Sequence, residues 1–502
     1  MSIGMLLDMA ATAFGDRVAL GGRGDGITFE HLVRVSAGGA TLLRSSGAER
    51  VAYLGGNSTA FPAVLFAAAT AGMPFVPLNY RLGEDQLDGL LGELHGPVVV
   101  CDEAYQDVVA RSGLKVHRSE EWLATAALAE PSEPVDVDDD APAVLLFTSG
   151  TTSKPKAVVL RHSNLVSYVL QTVEFGSAEP AEAALTSVPP YHIAGVGTVL
   201  TNIYSGRRLV YLPNFSAGAW LRLVAAEQVT SAMVVPTMLA RIVEELAGAR
   251  AATPTLRSIA YGGARMPRPV LEKALAAFPD AGFVNAYGLT ETSSTIAILS
   301  PDDHRTALLS PDPAVAARLS SAGRLVPGVE GEIRDSAGAP TGPGEVGELW
   351  VRGGQISGEY LGLGSVLDAD GWFPTRDRAC LDTGGYLFIE GRADDTIIRG
   401  GENIAPAEIE DVLIHHPAVK EVAVIGLPDI EWGERLTAVV VPAAHATPEP
   451  DDLRAWVRAR LRGSRTPDEV IFRDGLPYTP TGKLLRRQLV AEIGSPTTYE
   501  RT

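Results

Sequence analysis

Short apolar runs that alternate with helix-like stretches constrain the fold of this chain more than any other feature. Helix-like stretches such as AFPAVLFAAATAGM (60–73) and WLRLVAAEQ (220–228) lie between the apolar runs. Strands that alternate with helices form parallel sheets with both faces covered, so the pattern predicts an α/β fold with doubly wound parallel sheets. The runs that we interpret as buried strands are VAYLGG (51–56), PFVPLN (74–79), PVVVCD (97–102), RRLVYLP (207–213) and SAMVVP (231–236).

The pattern changes after about residue 325 and again near residue 394. GEIRD (331–335), GELWVRG (347–353) and GYLFIEGR (385–392) are Gly-rich and strand-length, which indicates an antiparallel or β-barrel-like subdomain. The last hundred residues or so mix strand signals with a helix, 451–461, whose apolar residues share one face: Leu453, Trp456, Val457 and Leu461. We therefore predict a large N-terminal domain, 1–393, and a small mobile α+β C-terminal domain, 394–502.

Composition excludes several classes of function. The chain has 502 residues, too many for one core, and carries 42 basic against 61 acidic side chains for a net charge of −19. That charge argues against nucleic-acid and anionic-membrane partners. Cys101 and Cys380 lack a ligand-like spacing, which argues against a disulfide framework or zinc site and for a reducing, cytoplasmic location. We find neither a signal peptide nor an apolar run long enough to span a membrane.

Residues 148–158, TSGTTSKPKAV, form the most informative motif. Apolar runs flank the segment on both sides, so it is predicted to be a hairpin-like loop between two strands. Its hydroxyls, backbone N–H groups and two lysines suit an anionic ligand, polyphosphate above all. The spacing matches neither a Walker A loop nor a G-x-G-x-x-G turn. The alternative is a surface connector with chance lysines.

Three further segments suggest nucleotide chemistry. NAYGLTETSS (285–294) could stack a base, bond a phosphate and hold a magnesium ion, or it could start a helix capped by Thr290. WFPTRD (372–377) offers Asp377 as an acceptor for both hydroxyls of a ribose, or as part of a hairpin turn. PTGKLLRR (480–487) contains a single lysine in a turn that a glycine precedes. The alternative is that this basic cluster is only solvated surface.

YLGGNS (53–58) contains a Gly-Gly-x-Ser turn of the kind that can carry a phosphopantetheine arm. Because the turn follows a strand inside an α/β pattern, we favour a strand-to-helix turn capped by Asn57 or Ser58.

Taken together and in order, these segments resemble the adenylate-forming superfamily, specifically its acyl-CoA synthetase branch. The resemblance runs from about residue 10 to about residue 490. The motifs that carry it are TSGTTSKPKAV, PPYHIAG (189–195), YGGARM (261–266), YGLTE (287–291), WFPTRD, GRADD (391–395), GGENIAPAEIE (400–410) and PTGK (480–483).

The resemblance implies a two-step ligase that uses ATP, Mg²⁺ and coenzyme A. A carboxylate attacks the α-phosphate of ATP, and a thiol then displaces AMP from the acyl-adenylate. Thr290 would touch the α-phosphate and Glu291 would hold magnesium. The loop would hold the β- and γ-phosphates, Tyr287 would stack on adenine, and the other implied nucleotide contacts are Thr148, Ser149, Gly150, Thr151, Thr152, Lys156, Gly262, Gly263, Ala264, Asn285, Ala286, Asp377 and Arg392.

Lys483 matches the mobile lysine of the family, which would bridge the substrate carboxylate and the α-phosphate. Asp394 matches the hinge about which the small domain rotates between the two half-reactions. Rotation would bring Gly400 and Gly401 to the pantetheine tunnel, where glycines let a thin arm pass close to the backbone.

His192 lies where amino-acid-activating relatives carry an acidic residue, so the resemblance implies a carboxylic acid without an α-amino group. His192 would gate the acyl pocket, near Gly262 and Ser293–Ser294, or would only pack. The sequence does not identify the acid. It also leaves the oligomeric state open, and a homo-oligomer is one alternative.

The sequence departs from the family where glycine is usual, at Ser153, Ala157 and Arg376. If Ser153 or Ala157 needs a positive φ, its side chain would cost about 1–2 kcal/mol, whereas Arg376 adds bulk beside Asp377. We favour a complete ligase over an enzyme weak in adenylation that thioesterifies a supplied adenylate. A carrier-loading adenylation enzyme, a luciferase-like oxygenase and a non-catalytic nucleotide-binding module remain as alternatives.

Overall fold

The computed structural model describes residues 1–148, 155–392, 395–399, 402–429, 432–461, 463–479 and 482–494. Among these residues, no helix is both long and apolar enough to cross a lipid bilayer. The helices are α1 Ile3–Phe14, α2 Phe29–Ser45, α3 Ala60–Ala71, α4 Glu84–Glu93, α5 Gln106–Arg111, α6 Ser119–Leu128, α7 His162–Thr172, α8 Ile193–Ser205, α9 Ala217–Ala226, α10 Pro236–Leu246, α11 Arg268–Ala277, α12 Pro301–Leu309, α13 Pro313–Ala317, α14 Pro406–Leu413, α15 Pro450–Arg458 and α16 Arg486–Gly494.

Every apolar run interpreted as a strand forms one. The strands are β1 Val18–Leu20, β2 Ile27–Thr28, β3 Val51–Leu54, β4 Phe75–Pro77, β5 Val98–Cys101, β6 Val116–Arg118, β7 Pro142–Thr148, β8 Lys156–Arg161, β9 Ala183–Thr186, β10 Arg208–Tyr211, β11 Ser231–Val234, β12 Ser258–Gly262, β13 Gly282–Leu289, β14 Ser294–Leu299, β15 Arg324–Leu325, β16 Val329–Arg334, β17 Gly347–Gly353, β18 Glu359–Tyr360, β19 Gly364–Ser365, β20 Phe373–Leu381, β21 Leu387–Arg392, β22 Ile397–Arg399, β23 Glu402–Ile404, β24 Val419–Asp429, β25 Gly433–Pro442 and β26 Glu469–Phe472.

Two large sheets, parallel in their centres, combine the strands of the first 325 residues or so with β18 and β19. One has the order β15-β14-β13-β12-β11-β9-β10-β1-β2, and the other has the order β19-β18-β8-β7-β4-β3-β5-β6. Strands β10, β9, β11, β12 and β13 run parallel in the first, as do β7, β4, β3, β5 and β6 in the second. Antiparallel strands complete the edges, including the β7–β8 pair. The largest core combines side chains from both sheets with helices α1, α2, α3, α7 and α8.

The remaining strands form two smaller sheets. The Gly-rich region builds an antiparallel sheet in the order β16-β17-β20-β21, as its strand-length pieces predicted. Near the C-terminus, β23-β22-β25-β24 form a sheet that β26 joins in parallel beside β25. Helices α14 and α15 bury Leu413, Leu453 and Val457 against this second sheet. Leu461 lies beyond the end of α15, at Arg458, but still packs on the same core.

The predicted cap of α3 is wrong. The helix begins at Ala60 after Thr59, and no side chain caps it. The Ser58 hydroxyl forms a hydrogen bond with the Tyr53 hydroxyl over 3.1 Å. The buried side-chain oxygen of Asn57, Oδ1, has no hydrogen-bond partner among the described residues. The turn still connects a strand to a helix, as predicted.

Candidate active site

Two antiparallel strands flank the Ser/Thr/Gly segment, as predicted. Strand β7 ends at Thr148 and β8 begins at Lys156, and these residues face each other in the antiparallel ladder. The Thr148 hydroxyl donates to the Lys156 carbonyl over 3.3 Å. The pair of strands therefore fixes both ends of the segment. Four predicted phosphate contacts fall outside the described residues: Ser149, Gly150, Thr151 and Thr152.

One aromatic side chain links this pair of strands to the Thr-Glu motif. The Tyr360 hydroxyl donates to Glu291 Oε1 over 2.8 Å. The Lys156 ammonium lies 5.6 Å from the centroid of the same ring, within cation–π range. A predicted phosphate ligand and the predicted magnesium ligand, 135 positions apart in sequence numbering (156 to 291), thus share one neighbour.

Thr290 and Glu291 lie in a single 3₁₀ turn, Thr290–Thr292, between β13 and β14. The Thr292 hydroxyl accepts from the Leu289 amide over 2.9 Å, so the alternative that Thr290 caps a helix is wrong. Ser293 and Ser294 follow with φ of 53° and 107°, conformations that cost L-residues energy and cluster at functional sites. This turn places both predicted residues directly after β13.

Asp377 is the centre of a second group. It is 4% exposed and lies within β20, so the hairpin-turn alternative is wrong. One carboxylate oxygen accepts from the Tyr287 hydroxyl over 2.5 Å, and the other from the Arg392 guanidinium over 2.8 Å. Burial and the neighbouring Asp377 raise the pKa of Tyr287, which stays a donor. A carboxylate has about four lone-pair sites, so acceptor capacity remains for ribose hydroxyls.

The predicted nucleotide slot lies on two adjacent strands. Gly262 of β12 pairs with Ala286 of β13, and a Cβ on Gly262 would lie 2.2 Å from the Ala286 carbonyl oxygen. Gly263 has a φ of 82°, and Ala264 follows it in the same bend. Only glycine fits at Gly262, because the two backbones are in contact there. The Asn285 side chain donates to the Ser321 carbonyl, which anchors the strand beside the slot.

Lys483 lies in the C-terminal region, and charges from both groups act on it. Lys483 is exposed, but nearby protein atoms displace part of its hydration, and this desolvation and the positive Arg392 lower its pKa, while the negative charges of Asp395, Asp377 and Glu291 act in the opposite direction. The Lys483 amide donates to the Thr479 hydroxyl over 2.9 Å. The preceding glycine, Gly482, packs against Thr237 at the start of α10. The structure therefore brings Lys156, Glu291, Asp377, Arg392 and Lys483 together.

His192 lies directly before α8. Its ring centroid is 4.5 Å from that of Tyr191. Burial, and then the charge of Arg81, lower its pKa to about 4, so the imidazole is neutral at pH 7. Its buried Nε2 has no hydrogen-bond partner among the described residues. Because buried polar atoms are rarely left unpaired, this supports a ligand-facing role over packing alone.

Two departures from the family pattern have different structural consequences. Ala157 lies within β8, 5% exposed, and is not among the residues with positive φ, so its side chain fits an ordinary strand. Arg376 does adopt a left-handed conformation, with a φ of 61°. It is exposed and lies in a bulge of β20 opposite β17. The third departure, Ser153, is not among the described residues.

We expect Arg376→Gly to stabilise the fold by up to about 1 kcal/mol, because relief of left-handed strain exceeds the entropy cost of glycine. The matched control is Arg378→Gly, two residues further along β20, where no positive φ is relieved and a loss of about 0.5–1 kcal/mol is expected. Urea denaturation of both variants gives the free energies of unfolding. A loss of stability in both would show that the Arg376 conformation is unstrained.

The charged residues fit a magnesium–nucleotide complex better than a metal bound by protein alone. The described part of the chain contains no group of three or more His, Cys, Asp or Glu side chains that could hold a metal ion. Mg²⁺ is commonly held by one or two carboxylates together with substrate phosphates and water. Glu291, with one oxygen on Tyr360, is placed to serve as such a carboxylate.

Three neighbours of the site carry no local sequence signal. Tyr360 and Thr237 were missed, since no local motif marks them and only the fold brings them to the site. Arg486, three residues after Lys483, was also missed. It bonds both carboxylate oxygens of Glu410 and approaches Asp395 at 3.7 Å. These contacts link the segment that carries Lys483 to the segment after the predicted hinge. The predicted residues Asp394, Gly400 and Gly401 lie outside the described residues.

Comparisons with known proteins identify the family of the chain. The profile described as AMP-binding enzyme matches residues 7–361, and the AMP-binding enzyme C-terminal domain profile matches residues 408–483. A feruloyl-CoA synthase from Amycolatopsis sp is 36% identical over 485 residues, covering 94% of this chain and 95% of the relative. ScoC, a fatty acid–[acyl-carrier-protein] ligase from Streptomyces coeruleorubidus, is 34% identical, covering 92% of this chain and 91% of the relative.

A solved structure has the same fold. The o-succinylbenzoate coenzyme A synthetase MenE from Bacillus subtilis, in complex with ATP and magnesium ion, has a TM-score of 0.82 at 29% identity and covers 96% of this chain and 98% of that chain. This match confirms the predicted fold class. Because one profile spans well over half of the chain and relatives above 30% identity cover nearly all of it, the chain belongs to the AMP-binding enzyme family.

Proposed function

We propose that the chain is an AMP-forming acyl-CoA synthetase. It activates a carboxylic acid without an α-amino group as an acyl-adenylate and transfers the acyl group to coenzyme A. The observation that carries the proposal is the convergence of Lys156, Glu291, Asp377 and Lys483, which come from separate sheets and from the C-terminal region. Together they would bind one Mg·ATP: Lys156 and Lys483 would contact the phosphates, Glu291 the metal and Asp377 the ribose.

In the first half-reaction a substrate carboxylate attacks the α-phosphorus and pyrophosphate leaves. Lys483 neutralises charge where the two anions meet, and Thr290 donates to the α-phosphate. Lys156 holds the leaving pyrophosphate, while Asp377 and Arg392 hold the ribose and Tyr287 stacks on adenine. Bound Mg²⁺, held by Glu291, would screen the charge of the phosphates. Positioning and electrostatic stabilisation account for the rate, because nucleotidyl transfer needs little covalent help.

In the second half-reaction a thiol attacks the acyl carbonyl and AMP leaves. We propose a boundary between residues 393 and 394, with Asp394 as the hinge of the C-terminal domain, 394–502. Rotation about it would remove Lys483 and bring Gly400 and Gly401 to the thiol. A cytoplasmic location and any self-association of the chain stay predictions.

A complete ligase is favoured over a variant weak in adenylation. Ala157 fits its strand without strain, and Arg376 extends from an exposed bulge, so neither residue argues against nucleotide binding. The proximity of Lys483 to Asp377 and Glu291 supports an arrangement suited to the first half-reaction. Transfer to a carrier protein is the second candidate, favoured by the similarity to ScoC.

The test is AMP release from ATP with a panel of aryl, polycyclic and medium-chain acids, given either coenzyme A or a phosphopantetheinylated carrier protein. We expect AMP release to require both an acid and coenzyme A. Exchange of pyrophosphate into ATP should require the acid but not coenzyme A. Release only with the carrier protein would favour the second candidate. Consumption of coenzyme A from synthetic acyl-adenylate without pyrophosphate exchange would favour the variant weak in adenylation.

The pH dependence of adenylation is a further prediction. Lys483 must be protonated to neutralise the reacting anions, and its pKa in the free protein is lowered by desolvation from nearby protein atoms and by the charge of Arg392. Activity is therefore present below that pKa and lost as the pH rises through it. We expect kcat/KM for pyrophosphate exchange to fall at a pH below about 10.4, the ordinary lysine value. A decline that begins only at that value would contradict the lowered pKa.

A further inference from the structure

Residues 357–361, which no motif marks, connect the two halves of the nucleotide site through the backbone. The Ser357 and Gly358 amides donate to the Glu291 carbonyl, over 2.9 and 3.3 Å. The Leu361 amide donates to the Ala157 carbonyl over 2.8 Å, and Tyr360 pairs with Val158. The segment is therefore bonded at one end to the Thr-Glu turn and at the other to the strand that follows the phosphate loop.

The Tyr360 side chain makes the same connection between functional groups. Its hydroxyl donates to Glu291 Oε1 over 2.8 Å, and its ring centroid lies 5.6 Å from the Lys156 ammonium. An ordinary phenol has a pKa of about 10 and is therefore a hydrogen-bond donor at neutral pH. A protonated phenol can hold a carboxylate without taking its charge.

We propose that Tyr360 is a positioning residue that keeps Glu291 and Lys156 close but prevents them from pairing with each other. A lysine and a glutamate this close to one side chain would gain by forming a direct ion pair. Such a pair would occupy the charges needed for magnesium and for pyrophosphate. Here each group contacts Tyr360 instead, through a hydrogen bond and a ring face respectively. The inference rests on the proposed function, which supplies the roles of Glu291 and Lys156.

The test is Tyr360→Phe, which keeps the ring and removes the hydroxyl. Calorimetric titration measures ATP binding with and without Mg²⁺, and pyrophosphate exchange is measured against Mg²⁺ concentration. Loss of a hydrogen bond to a charged group is expected to weaken the magnesium-dependent part of ATP binding about tenfold. The Mg²⁺ concentration for half-maximal exchange should rise to a similar extent, with a smaller change in ATP affinity without magnesium.

Tyr386→Phe is the matched control. The Tyr386 hydroxyl also donates to a carboxylate, that of Asp303 over 2.5 Å, and a guanidinium, that of Arg318, lies 4.2 Å from its ring centroid. Tyr386 is not one of the predicted site residues. We expect this variant to retain the wild-type magnesium dependence, even if its unfolding temperature falls as far as that of Tyr360→Phe. Equal magnesium dependence in the two variants would overturn the proposal.

A double variant separates positioning of Glu291 from a general effect on folding. In a Glu291→Gln background, removal of the Tyr360 hydroxyl should not weaken magnesium-dependent ATP binding any further, since the carboxylate is already gone. A tenfold loss that persists in that background would overturn the proposal. A wild-type protein that binds no Mg·ATP would instead overturn the proposed function.

Discussion

Lys483→Ala should reduce acid-dependent pyrophosphate exchange about 10²–10³-fold, the usual cost of removing one group that stabilises developing charge. Coenzyme A consumption from synthetic acyl-adenylate should be nearly unchanged, because the lysine is expected to leave the site before that step. Exchange and thioester formation are measured on the same preparation. The prediction follows from the electrostatic coupling of Lys483 to Arg392, Asp377 and Glu291.

Lys420→Ala is the control for this result. Lys420 is exposed on β24 of the same C-terminal sheet, so its removal changes the net charge by the same amount. Exchange by this variant should match the wild-type protein. Equal losses in both half-reactions for Lys483→Ala would contradict a role confined to adenylation.

Asp377→Asn should weaken ATP binding about 10–100-fold, because hydrogen bonds to a charged acceptor are replaced by bonds to a neutral amide. The folded state should also lose about 1–3 kcal/mol, since the Arg392 guanidinium, about a third exposed, would lack its counter-ion. Calorimetric titration with ATP and urea denaturation measure the two effects separately.

Asp382→Asn tests whether the loss of ATP binding is specific. Asp382 accepts from the Arg318 guanidinium over 2.7 Å and from two backbone amides, so it resembles Asp377 in its interactions but belongs to a turn outside the site. Its substitution should destabilise the fold and leave ATP affinity unchanged. Loss of stability without loss of ATP affinity in Asp377→Asn would show that Asp377 is only structural.

Much of the fold follows from local patterns. Runs such as VAYL (51–54) and VVVC (98–101) are apolar throughout because both faces of a parallel sheet are covered, and each forms a fully buried strand. The Gly-rich pieces after residue 325 form antiparallel strands because turns recur at short intervals. These features depend on neighbours in sequence, so the sequence is sufficient to predict them.

Features that depend on distant partners could not be predicted in this way. Asn57 and Ser58 have good capping side chains, yet Ser58 bonds the Tyr53 hydroxyl instead. Thr290 looked like a helix cap, but the chain makes one 3₁₀ turn because β14 must return beside β13. Tyr360 shares no motif with Glu291, and the hydrogen bond that joins them exists only in the folded chain.

The candidate site, like the fold, is predictable from the sequence only in its local features. Short motifs identified the charged groups, but only the fold could show that Lys156 and Glu291 meet on one ring and that Tyr287 and Arg392 both bond Asp377. The strain at Arg376 likewise needed a backbone angle, because the sequence showed only an arginine where glycine is usual.

A crystal structure with ATP and Mg²⁺ would test the central claim most directly, since that claim concerns convergence on one nucleotide. We predict the α-phosphate beside Lys483 and Thr290, the ribose hydroxyls on Asp377 and the metal on Glu291. A nucleotide bound elsewhere, with these side chains touching none of its atoms, would contradict the account.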